Sequence, residues 1–212
     1  MNPSPFQDLI PMTPEAFAEA TNVSRETLRR LESYADLLVK MQKTINLVGQ
    51  NTLTDIWRRH FLDSAQILPL LTALPVDRPL ILLDLGSGAG FPGLVVALMA
   101  VDRPLDVHLV ESDSRKCAFL REAARLTGTR IQLHNCRIEA LEPFKVDVIS
   151  ARALAPLGRL IPLMAPFLEV SGACPEVLLL KGAQGQEELT RGEKGWKMKV
   201  ETISSITDPQ AM

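Results

Sequence analysis

The chain has 212 residues, of which 46% are hydrophobic and 23% charged, and its formal net charge at pH 7 is -2. The apolar content excludes a disordered chain, and 12 glycines with 15 prolines are too few for a fibrous one. We expect one compact unit with a small appendage.

The sequence carries no signal for a membrane span, a leader or a bound metal. Its longest apolar stretch, residues 91–101, is well short of the roughly 20 residues that span a bilayer. The first residues lack the basic and apolar segments of a secretion signal, which predicts a cytoplasmic protein. Cys117, Cys136 and Cys174 form no Cys-x-x-Cys pair, so we expect small buried side chains rather than a disulfide framework or a zinc site.

Residues 1–75 are predicted to form a helical N-terminal region. Thr13, followed by proline and glutamate, indicates one helix start, and Ser24 indicates a second. In the second helix, apolar residues recur every three or four positions and form one face: Leu28, Leu31, Ala35 and Leu38. Another short helix is expected from Leu53 toward Leu71.

From residue 76 to 212, short apolar runs alternate with helical stretches, which is typical of an α/β fold with a doubly wound, mostly parallel sheet. The predicted strands are Leu80–Leu85, Val107–Glu111, Ile131–Leu133, Val146–Ser150 and Val177–Leu180. The predicted helices between and after them are Pro92–Met99, Arg115–Thr127, Pro156–Phe167 and Gln184–Arg191. A sixth strand with the looser alternation of a sheet edge is expected over Lys197–Ile206.

Basic side chains are grouped along the chain although the net charge is near zero. The largest group comprises Arg115, Lys116, Arg121, Arg125, Arg130 and Arg137. Three smaller groups are Arg25/Arg29/Arg30, Arg58/Arg59/His60 and Lys194/Lys197/Lys199. Each group alone is typical of a solvated face, whereas several groups meeting at one cleft would bind phosphates.

A glycine-rich loop follows the first predicted strand and opens a helix, where a doubly wound fold binds a nucleotide. It reads Asp84-Leu85-Gly86-Ser87-Gly88-Ala89-Gly90-Phe91-Pro92-Gly93. The spacing fits a dinucleotide, with Glu111 placed to take a ribose hydroxyl, but a carboxylate at Asp84 would repel a diphosphate. The same carboxylate suits S-adenosylmethionine, which is cationic, so methyl transfer is favoured and hydride transfer is the alternative.

The end of the fourth predicted strand bears on which atom would accept a methyl group. It reads Ile149-Ser150-Ala151-Arg152 and lacks the Asn/Asp-Pro-Pro-aromatic motif that usually handles exocyclic amines. The three cysteines lie elsewhere, although methylation of a pyrimidine carbon needs a cysteine nucleophile near this point. A ring nitrogen such as guanine N7 already has a free lone pair, so positioning alone would suffice for its methylation.

Several motifs, in order along the chain, are similar to the bacterial 16S ribosomal RNA guanine-N7 methyltransferases, the family called RsmG or GidB. These motifs are Asn46–Val48, Arg59–Ser64, the glycine loop, Ser112–Leu120, Arg137–Glu139, Ala151–Ala153 and Leu180–Gly182. The resemblance implies a class I methyltransferase (Rossmann-like) fold, S-adenosylmethionine as the cofactor and small-subunit ribosomal RNA as the partner. It also implies cofactor contacts at Gly86, Phe91, Ile138, Glu139 and Arg152.

The expected site residues divide by role. Cofactor binding is expected at Asp84, Gly86, Gly88, Gly90, Phe91, Glu111, Ile138, Glu139 and Arg152, and catalysis at Arg152 and Lys181. RNA contacts are expected at Arg59, His60, Arg115, Lys116, Arg137 and Lys181, with His60 a hydrogen-bonded histidine rather than a base. A small-molecule methyltransferase, an NAD-dependent oxidoreductase and a non-catalytic RNA-binding factor stay open as alternatives.

The end of the sheet is expected to depart from the class I pattern. Such sheets usually have seven strands, whereas this sequence offers a sixth and then only Asp208–Met212. A missing last strand would leave an exposed edge, which favours lower stability or pairing with another chain.

Overall fold

The computed structural model describes residues 10–75, 77–100, 104–172, 175–192 and 198–208, with helices first and a sheet after them. The helices before the sheet are α1 (Pro14–Thr21), α2 (Arg25–Gln42), a 3-10 helix (Gln50–Asp55), a π-helical turn (Trp57–Leu62), α3 (Asp63–Ala65) and α4 (Leu68–Ala73). They are followed by β1 (Leu80–Leu85), α5 (Gly93–Met99), β2 (Leu105–Val110), α6 (Ser114–Thr127), β3 (Gln132–His134), a 3-10 turn (Ile138–Ala140), β4 (Val148–Arg152), α7 (Leu157–Ser171), β5 (Glu176–Leu180) and α8 (Gly185–Gly192).

The first two helices begin at their predicted hydroxyl caps. Thr13 Oγ1 accepts a hydrogen bond from a backbone N–H of α1 at 3.2 Å, and Ser24 Oγ accepts one from α2 at 3.0 Å. These bonds satisfy donors that have no partner within the helix itself. The buried face of α2 carries three residues of the predicted stripe with a tyrosine among them: Leu31, Tyr34, Ala35 and Leu38.

The helix expected from Leu53 toward Leu71 is present but divided into segments of different pitch. Its π-helical turn buries Trp57, His60, Phe61 and Leu62. Four buried side chains in one turn form a wide arc, which packs against α1 and the sheet-covering helices. A regular helix would turn part of this arc toward solvent.

The five strands form one parallel sheet in the order β3-β2-β1-β4-β5. Side chains of β1 alternate between the two faces, so Leu82 joins a core with α2, α5 and α6, whereas Leu83 joins a core with α7. Helices therefore cover both faces, and the predicted α/β fold is confirmed. The first core also includes residues of the N-terminal helices, and the division at residue 75 stays a prediction.

The fourth strand begins later than predicted and ends later as well. Asp147 accepts a hydrogen bond from the backbone N–H of Ile81 through its carboxylate at 2.8 Å, so regular pairing with β1 starts one residue further on. The strand continues to Arg152, which pairs with Leu180 of β5. Arg152 is therefore the last residue of β4 and does not lie beyond it as predicted.

The prediction of a sixth strand over Lys197–Ile206 is wrong for the described part, residues 198–206. Its apolar side chains do not meet a sheet: Met198, Val200 and Ile203 are 38%, 45% and 51% exposed. The segment is held instead at its end, where the backbone N–H of Ile206 donates to Gln66 Oε1 at 3.1 Å. Alternation predicts a strand only where a neighbouring strand offers hydrogen bonds.

Two of the cysteines lie within the described residues. Cys117 is buried on α6 and Cys136 is half-buried after β3. Cys174 lies outside the described residues. Among the helices that the structure describes, none has the length and apolar character needed to span a membrane.

Candidate functional site

The loops that leave the carboxyl ends of the parallel strands meet along one edge of the sheet. The sheet order reverses between β1 and β4, and a crevice forms at such a point because successive connections run to opposite faces. The glycine loop leaves β1 at this point. It is flanked by Glu111 after β2 and by Arg152 at the end of β4.

Three glycines give the loop its path, because each has a left-handed backbone that other residues rarely adopt. The φ angles are +66° at Gly86, +58° at Gly88 and +96° at Gly90. A side chain at Gly86 would collide with Leu154, and one at Gly90 would lie 2.7 Å from the Tyr34 hydroxyl. At Gly88 the nearest atom would be the Gly86 carbonyl oxygen at 3.7 Å. Gly88 is thus the loop glycine with space beside it.

Glu111 fastens the loop after β2 to the glycine loop. Its Oε2 accepts the backbone N–H of Gly88 at 3.0 Å, and its Oε1 accepts that of Asp113 at 2.7 Å. The side chain is buried, with 8% of the residue exposed. A carboxylate oxygen has two lone pairs, so each oxygen can still accept a hydroxyl.

Asp84 lies beneath the glycine loop and is fully buried. Its Oδ1 accepts the hydroxyl of Ser150 at 2.7 Å, while Oδ2 has no hydrogen-bond partner among the described residues. Burial raises the pKa of Asp84 to about 6, and the Ser150 bond opposes this shift. This buried carboxyl group therefore loses its proton at a higher pH than an exposed aspartate does.

Tyr34 supports the same loop from the N-terminal helices. Its hydroxyl donates a hydrogen bond to the carbonyl of Ala89, and the residue is fully buried. Its ring stacks on Phe91 at 5.7 Å between centroids. Burial raises the pKa of Tyr34 well above 10, so the phenol keeps the proton that it donates. The loop is thereby held from α2 as well as from β2.

Arg152 lies against an aromatic ring at the mouth of the crevice. Its guanidinium carbon is 5.6 Å from the centroid of Phe91, on which the His60 ring also stacks at 4.9 Å. Arg152 also donates to the carbonyl of Arg59 at 2.7 Å and pairs with Asp63 at 2.9 Å. These contacts fix a guanidinium with 18% of its side chain exposed.

His60 is held as a neutral ring between two partners. Arg152 can only donate, so its 3.0 Å contact fixes His60 Nδ1 as an acceptor and leaves the proton on Nε2. Nε2 then donates to Thr52 Oγ1 at 2.7 Å, and that hydroxyl donates to the Gly49 carbonyl. Burial, with Arg152 and Arg59 next, lowers the pKa of His60 to about 3. His60 is therefore hydrogen-bonded through both ring nitrogens, and the expectation that it is not a base stays a prediction.

Lys181 follows β5 and lies over the connection between β4 and α7. Its ammonium donates to the Ala155 carbonyl at 2.7 Å and to Glu188 Oε2 at 2.8 Å. Glu188 also accepts the backbone N–H of Leu157 at 3.1 Å. Both charges therefore shape the connection that places Leu154 against the glycine loop. The catalytic role of Lys181 stays a prediction.

The remaining predicted residues lie around the same edge. Ile138 is buried and Glu139 exposed, both on the turn after β3. Arg137 precedes this turn, while Arg115 and Lys116 lie in the first turn of α6, so these three basic residues share the carboxyl edge with the glycine loop.

Two other members of the basic groups, Arg30 and Arg58, are engaged elsewhere. Arg30 donates to the Thr127 carbonyl at the far end of α6, at 2.6 Å, and Arg58 pairs with Asp55 at 2.6 Å. Of the further members, Arg25 and Arg29 lie on α2, Arg121 and Arg125 lie further along α6, and Arg130 follows the end of α6. Lys194 and Lys197 lie outside the described residues.

Tyr34 and Thr52 were not among the predicted site residues. Tyr34 could have been found, because it is the chain's only tyrosine and stands in an otherwise aliphatic stripe. A buried phenol needs a hydrogen-bond partner, which indicates a special contact. Thr52 gave no such signal, because its bond to His60 depends on the 3-10 helix.

The parallel sheet, the glycine loop at its switch point and the acidic residue after β2 are features of the Rossmann-like class I methyltransferase fold. The solved structure of the tRNA (m1A58) methyltransferase TrmI from Aquifex aeolicus is similar in fold, with a TM-score of 0.51 and 14% identity. The match covers 68% of this chain and 56% of that chain.

The chain belongs to the family described as GidB, rRNA small subunit methyltransferase G, which matches residues 27–211. The Ribosomal RNA small subunit methyltransferase G of Rhodospirillum rubrum is 57% identical, over 93% of this chain and 94% of that protein. The protein of the same name from Paramagnetospirillum magneticum is 53% identical, over 93% of this chain and 92% of its own length. The resemblance drawn from the sequence motifs is confirmed.

Proposed function

We propose that this chain transfers a methyl group from S-adenosylmethionine to N7 of a guanine in the 16S RNA of the small ribosomal subunit. The observation that carries the proposal is the glycine loop at the switch point, fastened by Glu111, in a chain that matches this family over residues 27–211. A ribosomal substrate also makes the protein a cytoplasmic enzyme.

The crevice fits S-adenosylmethionine better than a dinucleotide. A diphosphate would need free backbone N–H groups in the glycine loop, but that of Gly88 already donates to the Glu111 carboxylate. A second carboxylate, Asp84, lies beneath the loop with one unpartnered oxygen. Two negative groups disfavour a diphosphate and favour a ligand that carries positive charge. This argument counts against the alternative of an NAD-dependent oxidoreductase.

The residues around the crevice would hold different parts of this cofactor. Glu111 has lone pairs left for the ribose hydroxyls, and Gly88 has the space for a ligand to approach the backbone. Ile138 and Glu139 would bind the adenine from the turn after β3. Arg152 would take the cofactor carboxylate with Nη1, since its Nε and Nη2 bond to Asp63, Arg59 and His60.

Methylation of guanine N7 would require the protein mainly to orient the two reactants. When bound, the cofactor supplies a methyl carbon on a sulfonium; a C–N bond to guanine N7 forms as the C–S bond breaks, and the positive charge passes to the guanine ring. N7 carries no proton, so no general base is needed. His60 agrees with this requirement, because it is neutral and hydrogen-bonded at both ring nitrogens. Orientation would then provide most of the rate.

The RNA would approach the carboxyl edge of the sheet. Arg115, Lys116 and Arg137 lie there on neighbouring loops, and we propose that they contact phosphates together with Arg59 and His60 near the crevice mouth. Lys181 would contribute a contact only by exchanging its bonds to Ala155 and Glu188.

The test is methyl transfer from labelled S-adenosylmethionine to small subunits that lack the modification, with naked 16S RNA as a parallel substrate. We expect label in 7-methylguanosine of the 16S RNA, with transfer weakening as salt rises, because phosphate contacts release counterions. Binding to subunits without any transfer would contradict the proposal in favour of an RNA-binding factor. Turnover without RNA would contradict it in favour of a small-molecule enzyme.

A further inference from the structure

The segment Ser205–Thr207 is hydrogen-bonded to α3 and the residue that follows it. The hydroxyl of Thr207 donates to Asp63 Oδ1 at 3.0 Å, and the backbone N–H of Ile206 donates to Gln66 Oε1 at 3.1 Å. Thr207 is buried, with 8% of the residue exposed. Two polar bonds thus fix a segment that lies some 140 residues further along the chain.

Asp63 links this attachment to the crevice. Its Oδ2 pairs with Arg152 Nε at 2.9 Å, while Oδ1 accepts both Thr207 and the side-chain amide of Gln66, the latter at 2.9 Å. Every donor on Oδ1 limits rotation of the carboxylate, and that rotation sets where Oδ2 points. Thr207 therefore contributes to the position of Arg152 without touching it.

The position of Arg152 matters because its guanidinium lies over Phe91 of the glycine loop. Its remaining contacts, the Arg59 carbonyl and His60 Nδ1, both use Nη2, so the Asp63 pair is what fixes the Nε side of the fork. The guanidinium is planar and rigid, so these contacts together set the direction of Nη1, the nitrogen that would meet the cofactor carboxylate.

We propose that Thr207 is a positioning residue of the cofactor site, acting on Arg152 through Asp63. The inference rests on the proposed function, since it assigns Arg152 to the bound cofactor. It makes the segment after α8 part of the site.

The experiment measures S-adenosylmethionine binding by calorimetry and turnover on small subunits for the full chain and its variants. We expect Thr207→Val to raise the dissociation constant roughly threefold to tenfold, because it removes a bond to a charged group, while kcat changes less. Thr207→Ser keeps the hydroxyl and should bind as the wild type does. Thr190→Val is a control for the chemical change itself, since among the described residues the exposed Thr190 hydroxyl donates to the Gln186 carbonyl of its own helix.

A double-mutant cycle separates positioning from general loosening. In an Asp63→Ala background the link to Arg152 is gone, so adding Thr207→Val should not weaken cofactor binding further. Equal effects in both backgrounds would overturn the inference, as would Thr207→Val binding within twofold of the wild type or Thr207→Ser failing to restore affinity. A wild type that neither binds the cofactor nor methylates subunits would overturn the proposed function itself.

Discussion

At the scale of single residues, the glycines of the loop differ in the space beside them. Gly86 and Gly90 are enclosed by side chains, whereas a methyl group on Gly88 would meet nothing closer than 3.7 Å. The same substitution therefore tests folding at two positions and ligand approach at the third.

We expect Gly88→Ala to weaken S-adenosylmethionine binding about tenfold or more, because the added carbon projects into the proposed ligand space. The left-handed backbone should also lower the free energy of unfolding by about 1 kcal/mol. Calorimetry and urea unfolding measure the two effects.

Gly128→Ala provides the control for backbone strain. Gly128 has a φ of +63°, close to that of Gly88, and a Cβ there would have no neighbour within 4 Å. It should lose similar stability but keep wild-type cofactor affinity. Equal affinities in the two variants would remove Gly88 from the site.

His60 makes a prediction about pH. Its pKa falls from 6.5 to about 3 in the folded protein, so below pH 6.5 the unfolded chain takes up a proton that the folded protein refuses. As the pH is lowered from 7 to 5, this effect must therefore decrease the free energy of unfolding by about 2 kcal/mol. His60→Gln should lose that much less, as measured by urea unfolding at both pH values.

Asp84 changes the free energy of unfolding in the opposite direction as the pH is lowered, but its contribution is the same in the wild type and in His60→Gln. Its pKa is raised from 3.8 to about 6, so the folded protein binds the proton first and gains stability as the pH falls through 6. Both proteins retain Asp84. Identical losses in the wild type and His60→Gln would contradict a neutral, buried His60.

At the scale of secondary-structure elements, α2 is tied to the sheet region at both edges. Tyr34 bonds to the glycine loop at the carboxyl edge, and Arg30 bonds to the last turn of α6 at the opposite edge. Only the first of these bonds touches the proposed site.

We expect Tyr34→Phe to lower stability by about 1–3 kcal/mol, because the Ala89 carbonyl loses its partner while the ring stacking stays. It should also weaken cofactor binding. Arg30→Ala should lower stability while leaving the affinity unchanged, as followed by thermal unfolding and calorimetry. A Tyr34→Phe protein with full affinity would show that the loop needs no support from α2.

The pair of Lys181 and Glu188 tests whether α8 shapes the connection after β4. Hydrogen bonding to Lys181 lowers the pKa of Glu188, which favours the carboxylate that accepts from Lys181 and Leu157. We expect Lys181→Ala and Glu188→Ala to reduce turnover by similar factors, because each frees the same connection. If only Lys181→Ala reduces turnover, the predicted direct role of Lys181 is the better account.

At the scale of the whole molecule, the sequence predicted the sheet better than its surroundings. The residues of β1 are almost all apolar and buried on both faces, so its limits were predictable from composition alone. The strand expected over Lys197–Ile206 shows the opposite case: its alternation was real, but no neighbouring strand was there to pair with it in the described part. Pairing is a property of the whole fold, which a local pattern does not contain.

The site shows the same limit. The motifs located the glycine loop, Glu111 and Arg152 because each lies at or just after the end of a strand, and parallel strands bring their ends together. They did not show that Asp63 joins Arg152 to Thr207, because 144 residues separate Asp63 from Thr207 and only the fold brings them into contact.

The most direct test of the account is a calorimetric titration of the wild-type protein with S-adenosylmethionine and, separately, with NADH. The two carboxylates beneath and beside the glycine loop predict saturable heat with the first ligand and none with the second. Saturable binding of NADH without binding of S-adenosylmethionine would contradict the assignment of the crevice and everything derived from it.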